Sequence, residues 1–346
     1  MFNIECNYQT KINKENEFIA RVKTNQKVCI KTINAYGDKF KDLNELMTLI
    51  NCKDGKTHHH PLTGPIYINE AIPGDVLKVH IYKIEVKEMA QSLSKTAGIE
   101  PLTNLGIAER IPVISQKCSE REISYTNGIN LPYKPMIGMI AVSSAIENIK
   151  TGHAQKRNGG NLDIPFVTEE TDIYLPVDIE GAGLYLGDVH GLQGYGELSG
   201  IAMEASSKVI IDVEVLKPRK KLDNIIIIGK EPFSKKECIG IVGIGSKMNL
   251  EEAILDAFQG SYNLLQQCIP TMSQNMVKSL ITLIGNSFNG QAFSKTSEST
   301  NIIVISKDDL QKITKNKYEK LSKEIEKILF EEKNNRKENK KWEKNQ

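Results

Sequence analysis

Between residues 28 and about 216 the chain reads as short apolar and β-branched runs broken by turn residues, the pattern of strands rather than helices. The runs are Val28 to Ile33, Pro65 to Ile68, Val76 to Val86, Met136 to Ser143, Ile173 to Ile179 and Lys208 to Leu216. In Val76 to Val86 one alternating set is nearly all aliphatic and the other carries Lys78, His80 and Tyr82. That spacing predicts a strand with one wet face, on which His80 is a surface residue. Pro73-Gly74-Asp75 ahead of it predicts a turn, since proline fixes φ at the first corner and glycine accepts a positive φ at the next.

After Pro218 the pattern changes. Ile225 to Ile228 and Cys238 to Ile244 predict short buried strands. Asn249 then predicts a helix cap, with Glu251 and Glu252 suited to the positive end of the helix dipole and Ile254, Leu255, Phe258, Leu264 and Leu265 as the apolar face. A second helix is expected from Ser273, carried by Met276, Val277, Leu280, Ile281 and Ile284 and stopped by Gly285. A third, from about 317, places Tyr318, Leu321, Ile325, Ile328 and Leu329 on one side and fades into a tail of mixed charge around Trp342. The organisation expected is a β-rich part over 1–216 that carries most of any site, an α+β part over 217–310, and a C-terminal helix with a frayed charged tail over 311–346.

Composition narrows the classes of function. Forty-five basic against 43 acidic side chains leave a formal charge of +2, which does not favour nucleic acid or an acidic membrane as the main partner. A small-molecule ligand is the default. Six cysteines (Cys6, Cys29, Cys52, Cys118, Cys238 and Cys268) form no C-x-x-C pair, so neither a zinc ribbon nor a disulfide framework is expected. Free thiols in a reducing cytoplasm fit this usage, with Cys118 and Cys238 expected as buried thiols rather than nucleophiles. Neither a secretory leader nor an apolar run long enough to span a bilayer is seen, so a cytoplasmic location without a membrane partner is expected.

The segment richest in chemistry is Gly187-Asp188-Val189-His190-Gly191-Leu192-Gln193-Gly194-Tyr195-Gly196-Glu197. Leu184-Tyr185-Leu186 before it reads as a strand, and residues two apart on a strand share a face, so Asp188 and His190 are expected to project together. The glycines at 191, 194 and 196 allow the turns that would bring Glu197 back to the same spot. An imidazole and two carboxylates suit a divalent metal such as zinc. The same residues suit a polar hairpin with a solvated Asp and His, and the segment alone does not decide between the two.

Three other segments accompany it: His58-His59-His60-Pro61, in which Pro61 biases His60 toward an extended backbone; Asn158-Gly159-Gly160-Asn161-Leu162-Asp163, read as a tight glycine turn; and Pro135-Met136-Ile137-Gly138 at a strand start. Their order, with His60 to Ile68, Pro73 to Leu77, Tyr174 to Val177, Gly181-Ala182 and Gly187 to His190, resembles the acetamidase/formamidase family over about residues 28 to 285. The resemblance implies a β-rich α+β fold with a sandwich-like β core, a smaller α+β part, a divalent metal such as zinc, and hydrolysis of formamide or acetamide with release of ammonia. It favours His60 over His58 and His59, which are expected to be solvated, as is His153.

Departures from the family pattern stand at Asn34, Asn158 and Tyr195, each neutral where the family usually carries an ionisable residue. They leave open a second reading, a ligand-binding member with a degenerate site. For the hydrolase, metal binding is expected from His60, Asp188 and His190, and general-base work from Glu197. Asp163 is expected as a ligand or as a group orienting a histidine, with Gly159, Gly160 and Asn161 as donors to the developing oxyanion. A β-rich unit with exposed edges commonly hides them by association, so a homo-oligomer is also expected.

Overall fold

The computed structural model describes residues 1–37, 40–51, 60–92, 112–117, 119–120, 122–124, 128–155, 157–197, 201–245, 249–285, 290–292 and 299–332. His58, His59, Cys52, Cys118 and the charged tail around Trp342 lie outside the described residues. The architecture is a large curled, mostly antiparallel sheet with a few helices packed on one part of it, the β-rich α+β arrangement the sequence pointed to.

At its centre the long strand Val76–Ser92 runs antiparallel to Glu204–Leu216 on one side and to Thr171–Pro176 on the other. Strand Glu204–Leu216 also pairs with Val28–Thr32. Strand Ala182–His190 lies between Met136–Val142 and Leu62–Ile68, and its last two residues reach the start of Glu204–Leu216 through Val189↔Ala205 and His190↔Glu204. Three strands therefore meet around the C-terminal end of Ala182–His190. Leu184 and Leu186 alternate into the main core, and Val189 joins them past the left-handed Asp188, with Ile137, Ile140, Val209 and Ile211.

A second apolar cluster joins the sheet to the helices, with Ile226, Ile228, Ile239, Ile241, Ile303 and Ile305 against Ala257, Leu264, Leu265, Val277, Ile281, Leu321 and Ile325. Helix Leu250–Cys268 is capped as expected, the Asn249 side chain accepting from the Glu252 amide. Its buried face differs from the one expected: Leu255 is 62% exposed, and the inner face is Ala253, Ala257, Gly260, Ser261, Leu264 and Leu265. Close approach to the sheet selects these small residues, because a Cβ on Gly243 would stand 2.2 Å from the Ala253 carbonyl oxygen. Met276 likewise points outward while Val277 and Ile281 pack inward from helix Gln274–Gly285. The third helix runs Leu321–Leu329 and buries Leu321, Ile325 and Leu329.

His80 is corrected from a surface residue to a half-buried one. Its Nδ1 lies 2.7 Å from Asp172 Oδ1 on the neighbouring strand, and Lys78, Asp172, Tyr174 and Glu326 extend the network onto the last helix. The wet face of that strand is thus partly roofed by helix Leu321–Leu329, which the alternation of the strand alone could not show.

Candidate active site

Strand Ala182–His190 ends by delivering Asp188 and His190 into a buried pocket, 2% and 1% exposed. Asp188 Oδ1 is 2.9 Å from His60 Nδ1 and 3.6 Å from His190 Nε2, while His190 Nε2 is 3.4 Å from Glu204 Oε2. Donor atoms of Asp188, His190 and Glu204 lie within 4.8 Å of one another, as do those of Asp163, His190 and Glu197. His190 belongs to both sets. The pocket therefore gathers His60, Asp163, Asp188, His190 and Glu197 from three separate sequence segments, and adds Glu204.

Backbone conformation brings them in. His60, Asp163, Asp188 and Glu197 all have positive φ, at 36°, 48°, 53° and 40°. Left-handed backbone at a non-glycine residue costs of order 1–3 kcal/mol and persists where surrounding structure holds it. His60 is thus corrected from the extended form its following proline favours: its ion pair with Asp188 and the Gln9↔Leu62 bridge just beyond it fix the turn. The Gly138 carbonyl accepts from both the Leu162 and Asp163 amides, at 2.9 and 3.1 Å, and so draws the Asp163 carboxylate against Gly138. A Cβ on Gly138 would stand 2.8 Å from Asp163 Oδ1 and 2.9 Å from His190 Cε1, so the strand start must be glycine for the pocket to close.

Gly159, Gly160 and Asn161 form a short strand between Met136–Val142 and Ala154–Gln155, rather than a bare turn. The glycines let neighbouring backbone approach: a Cβ on Gly159 would lie 2.2 Å from the Ile140 carbonyl oxygen, and one on Gly160 would lie 2.4 Å from that of His153. The Asn161 amide donates to the His153 carbonyl, and the Asn161 Oδ1 is buried without a partner. Asn158 Nδ2 donates to the Pro176 carbonyl, and Asn34 Oδ1 accepts from the Tyr36 amide. Tyr195 donates its hydroxyl to Glu231 Oε1 at 3.3 Å and tilts its ring against Phe233.

Two residues of the pocket were not foreseen. Glu204 is 2% exposed and sits across the ladder from His190, at the start of a strand expected only from Lys208. An acid within the otherwise apolar stretch Ile201 to Ala205 was the available signal. Gln193 is also buried, its Oε1 2.6 Å from His190 Nδ1 and its Nε2 donating to the Asp163 carbonyl at 2.6 Å.

Electrostatics show a site short of positive charge. Burial first, and then the Asp188 carboxylate, raise the Asp163 carboxyl to about 7 against the opposing pull of His190 and His60. Glu197 and Glu204 are raised by burial and by the neighbouring carboxylates. Burial works against charge on His60, yet Asp188 together with Glu204 and Asp163 outweighs it and holds the imidazole at about 9. Asp188 itself is held below the usual carboxylate range, since His60 and His190 overcome the cost of its burial. Buried atoms without hydrogen-bond partners include Asp163 Oδ1, His190 Nε2 and Glu204 Oε2, all aimed at the same space. Oxygen and imidazole donors converging without partners fit a divalent cation.

The sequence model of the acetamidase/formamidase family matches residues 7–151 and 136–279. The chain belongs to this family. An acetamidase from Bacillus halodurans shares the fold with a TM-score of 0.73 and 23% identity, over 90% of this chain and 99% of that one. A predicted acetamidase/formamidase from Thermoanaerobacter tengcongensis gives a TM-score of 0.73 and 24% identity, over 92% and 99%. A Schizosaccharomyces pombe protein named "Putative formamidase" is 35% identical over 79 residues, a stretch that is 22% of this chain and 19% of that relative's length. As a member of the acetamidase/formamidase family, the chain places its sequence motifs around one pocket: His60, Gly138, Asp163, Asp188 and His190 all border it.

Proposed function

We propose that this protein hydrolyses short linear amides of the formamide or acetamide type in a metal-dependent reaction, yielding ammonia and a carboxylate. The observation that carries the reading is the set of unpartnered donor atoms on Asp163, His190 and Glu204, within reach of Asp188 and Glu197 in a buried pocket. Family membership supports amide hydrolysis as the reaction class.

His190, with Asp188 and Glu204 or with Asp163 and Glu197, would hold the cation, and His60 steadies Asp188 from the outer side. When bound, a divalent cation, zinc by its fit to mixed imidazole and carboxylate donors, supplies Lewis acidity toward the amide oxygen. The rest falls to the chain. Glu197 and His60 are the less buried members of the group and mark the side from which substrate and water enter. Glu197 takes a proton from the attacking water as the C–O bond forms and returns it to the departing nitrogen as the resulting oxyanion collapses and the C–N bond breaks. Its raised proton affinity, from burial and the carboxylates around it, suits a group that must hold and then release that proton. The Asn161 side chain lies on the strand leading into Asp163 and donates to the developing oxyanion, while Gly159 and Gly160 allow the close strand approach that sets it there.

The same reading places the site in the 1–216 part, with 217–310 and the last helix bracing the sheet behind it. Free thiols at Cys6, Cys29, Cys238 and Cys268 support a reducing, cytoplasmic setting, and among the described residues no helix is long and apolar enough to cross a membrane. A homo-oligomer that covers the edges of the β-rich unit belongs to the same reading.

The test is elemental analysis of the purified protein beside an ammonia-release screen of short amides. Stoichiometric divalent metal and cleavage of formamide or acetamide are expected, with activity falling steeply in His190→Ala and Glu197→Gln. Metal without cleavage of any amide would favour the ligand-binding reading, to which the neutral residues Asn34, Asn158 and Tyr195 lend support. Absence of metal would refute the site.

A further inference from the structure

Gln193 lies between two members of the pocket without being able to serve as a strong ligand itself. Its side chain is buried at 5% exposure, and both ends of its amide are engaged: Nε2 donates to the Asp163 carbonyl at 2.6 Å, and Oε1 faces His190 Nδ1 at 2.6 Å. A backbone carbonyl can only accept, so the end of Gln193 that faces it must be the NH₂ group. The other end, the carbonyl oxygen, is then fixed toward His190. That oxygen can also only accept, so His190 Nδ1 must carry a proton. The consequence falls on the far side of the ring: in the neutral histidine, Nε2 is left with its lone pair, and it is Nε2 that points at Asp188 and Glu204 and has no hydrogen-bond partner.

We propose that Gln193 is a positioning residue that fixes the His190 ring as the Nδ1–H tautomer and so directs Nε2 into the carboxylate cluster as the donor to a cation. The inference rests on the metal-site reading above for its purpose, but on the two amide contacts for its content. The residue type follows from the charges nearby. Asp163, Asp188, Glu197 and Glu204 already crowd the pocket, and a fifth carboxylate at 193 would deepen the excess. An amide supplies the acceptor His190 needs while adding no charge, and its donor end ties the ring to the Asp163 backbone, so the two ligand-bearing segments are held in one register. The three-residue step from His190 to Gln193 is the local reason the contact is made: Gly191 turns the chain directly after the strand, and its amide and carbonyl are held by Met203 and Lys134. A Cβ at Gly191 would strike the Met89 sulfur at 2.0 Å, so that turn is fixed by packing and not only by sequence preference.

The test uses the full chain, labelled with ¹⁵N at histidine, with the His190 signals identified by their loss in His190→Ala. In the wild type Nδ1 is expected to carry a proton both free and after Zn²⁺ is added, with Nε2 giving up any proton it shares with Asp188 and Glu204 only when Zn²⁺ binds. Gln193→Met keeps the length and removes both hydrogen bonds; it should show a proton shared between the two ring nitrogens and a Zn²⁺ affinity roughly 10–100-fold weaker, the range for loss of a group that orients a ligating histidine. Gln193→Glu gives up the donor to the Asp163 carbonyl but keeps the acceptor opposite Nδ1 and should keep a proton there, a rescue that a purely structural role for residue 193 would not produce. A wild-type ring bare at Nδ1, or Gln193→Met with unchanged ring protonation and unchanged Zn²⁺ affinity, overturns the proposal. If Gln193→Met does not fold, Gln193→Glu decides: Nδ1–H supports the proposal and Nε2–H alone overturns it. Failure of the wild type to take up Zn²⁺ while Nδ1–H persists would count against the metal reading and leave the positioning role standing.

Discussion

His60 and Asp188 stand 128 residues apart in the chain and 2.9 Å apart in space, Nδ1 to Oδ1. The pair is a direct consequence of two left-handed backbone residues, one before Pro61 and one near the end of strand Ala182–His190. It predicts a pH dependence in protein stripped of metal. Asp188, against the cost of burial, raises His60 from an ordinary 6.5 to about 9, so the folded state binds the proton more tightly than the unfolded one. The associated stability is fully present below about 6.5 and is lost as pH rises through about 9. Asp163 acts in a lower window, because its folded carboxyl is raised to about 7 and its effect is spent as pH passes that value. Melting temperature should therefore fall between pH 7 and 9 in the wild type and fall less in His60→Gln. Parallel curves for the two proteins would show that the pair does not couple to folding.

Cation binding should register as stability. Donor atoms of Asp188, His190 and Glu204 lie within 4.8 Å of one another with the carboxyl of Glu204 raised by burial and by Asp188, so an added charge of +2 relieves a strain that folding creates. A ligand held only by the folded state adds about 2.7 kcal/mol at a hundredfold excess over its dissociation constant. Thermal melts should shift upward with Zn²⁺, return on addition of a chelator, and move much less in Glu204→Gln. An equal shift in that variant would place the cation elsewhere.

Gly138→Ala isolates the shape of the pocket from its chemistry. The backbone at 138 is not left-handed, so alanine is acceptable there as far as φ is concerned. Its Cβ would nevertheless stand 2.6 Å from the Asp188 carbonyl oxygen and 2.8 Å from Asp163 Oδ1. Contacts that short force the strand start away from the ligand-bearing segments, at a cost of roughly 1–3 kcal/mol as for other overpacked sites. The expected outcome is a folded protein with amide hydrolysis and metal uptake both reduced at least tenfold. Retention of both at wild-type levels would mean the pocket is looser than its geometry shows.

Residue order revealed more of the fold than of the pocket's full membership. The strands around Val76, Met136 and Lys208 were legible because alternating or continuous apolar runs dictate them, and the Asn249 cap because its side chain has a fixed job at a helix start. Asp188 and His190 were legible as a pair because strand periodicity puts i and i+2 on one face. Glu204 was not, since its part in the pocket comes from a cross-strand neighbour, His190, and pairing is a property of two segments. The same limit hid the neighbour of His80, which is Asp172 on another strand. The buried face of helix Leu250–Cys268 misled for a different reason: close packing on Gly243 favours Ala253 and Ala257 over the larger Leu255.

Tyr195 sits two residues before Glu197, and its contacts predict how firmly that loop is held. The phenol donates to Glu231 Oε1 at 3.3 Å, and the fully buried Glu231 carboxylate also accepts from the Phe233 and Ser234 amides at 3.0 and 2.5 Å. Tyr195→Phe removes the longest of these three bonds and leaves the carboxylate two amide partners. The cost is accordingly about 1 kcal/mol, near the middle of the range for a single hydrogen bond. Tyr195→Ala also loses the ring's packing on Phe233 and on the main core, so it should cost about 3 kcal/mol or more and loosen the segment that carries Glu197. Denaturant midpoints at unchanged slope measure both. Hydrolysis should change less than a few-fold in the first variant and fall more than tenfold in the second; equal losses in both would mean that the hydroxyl, and not the ring, sets the position of Glu197.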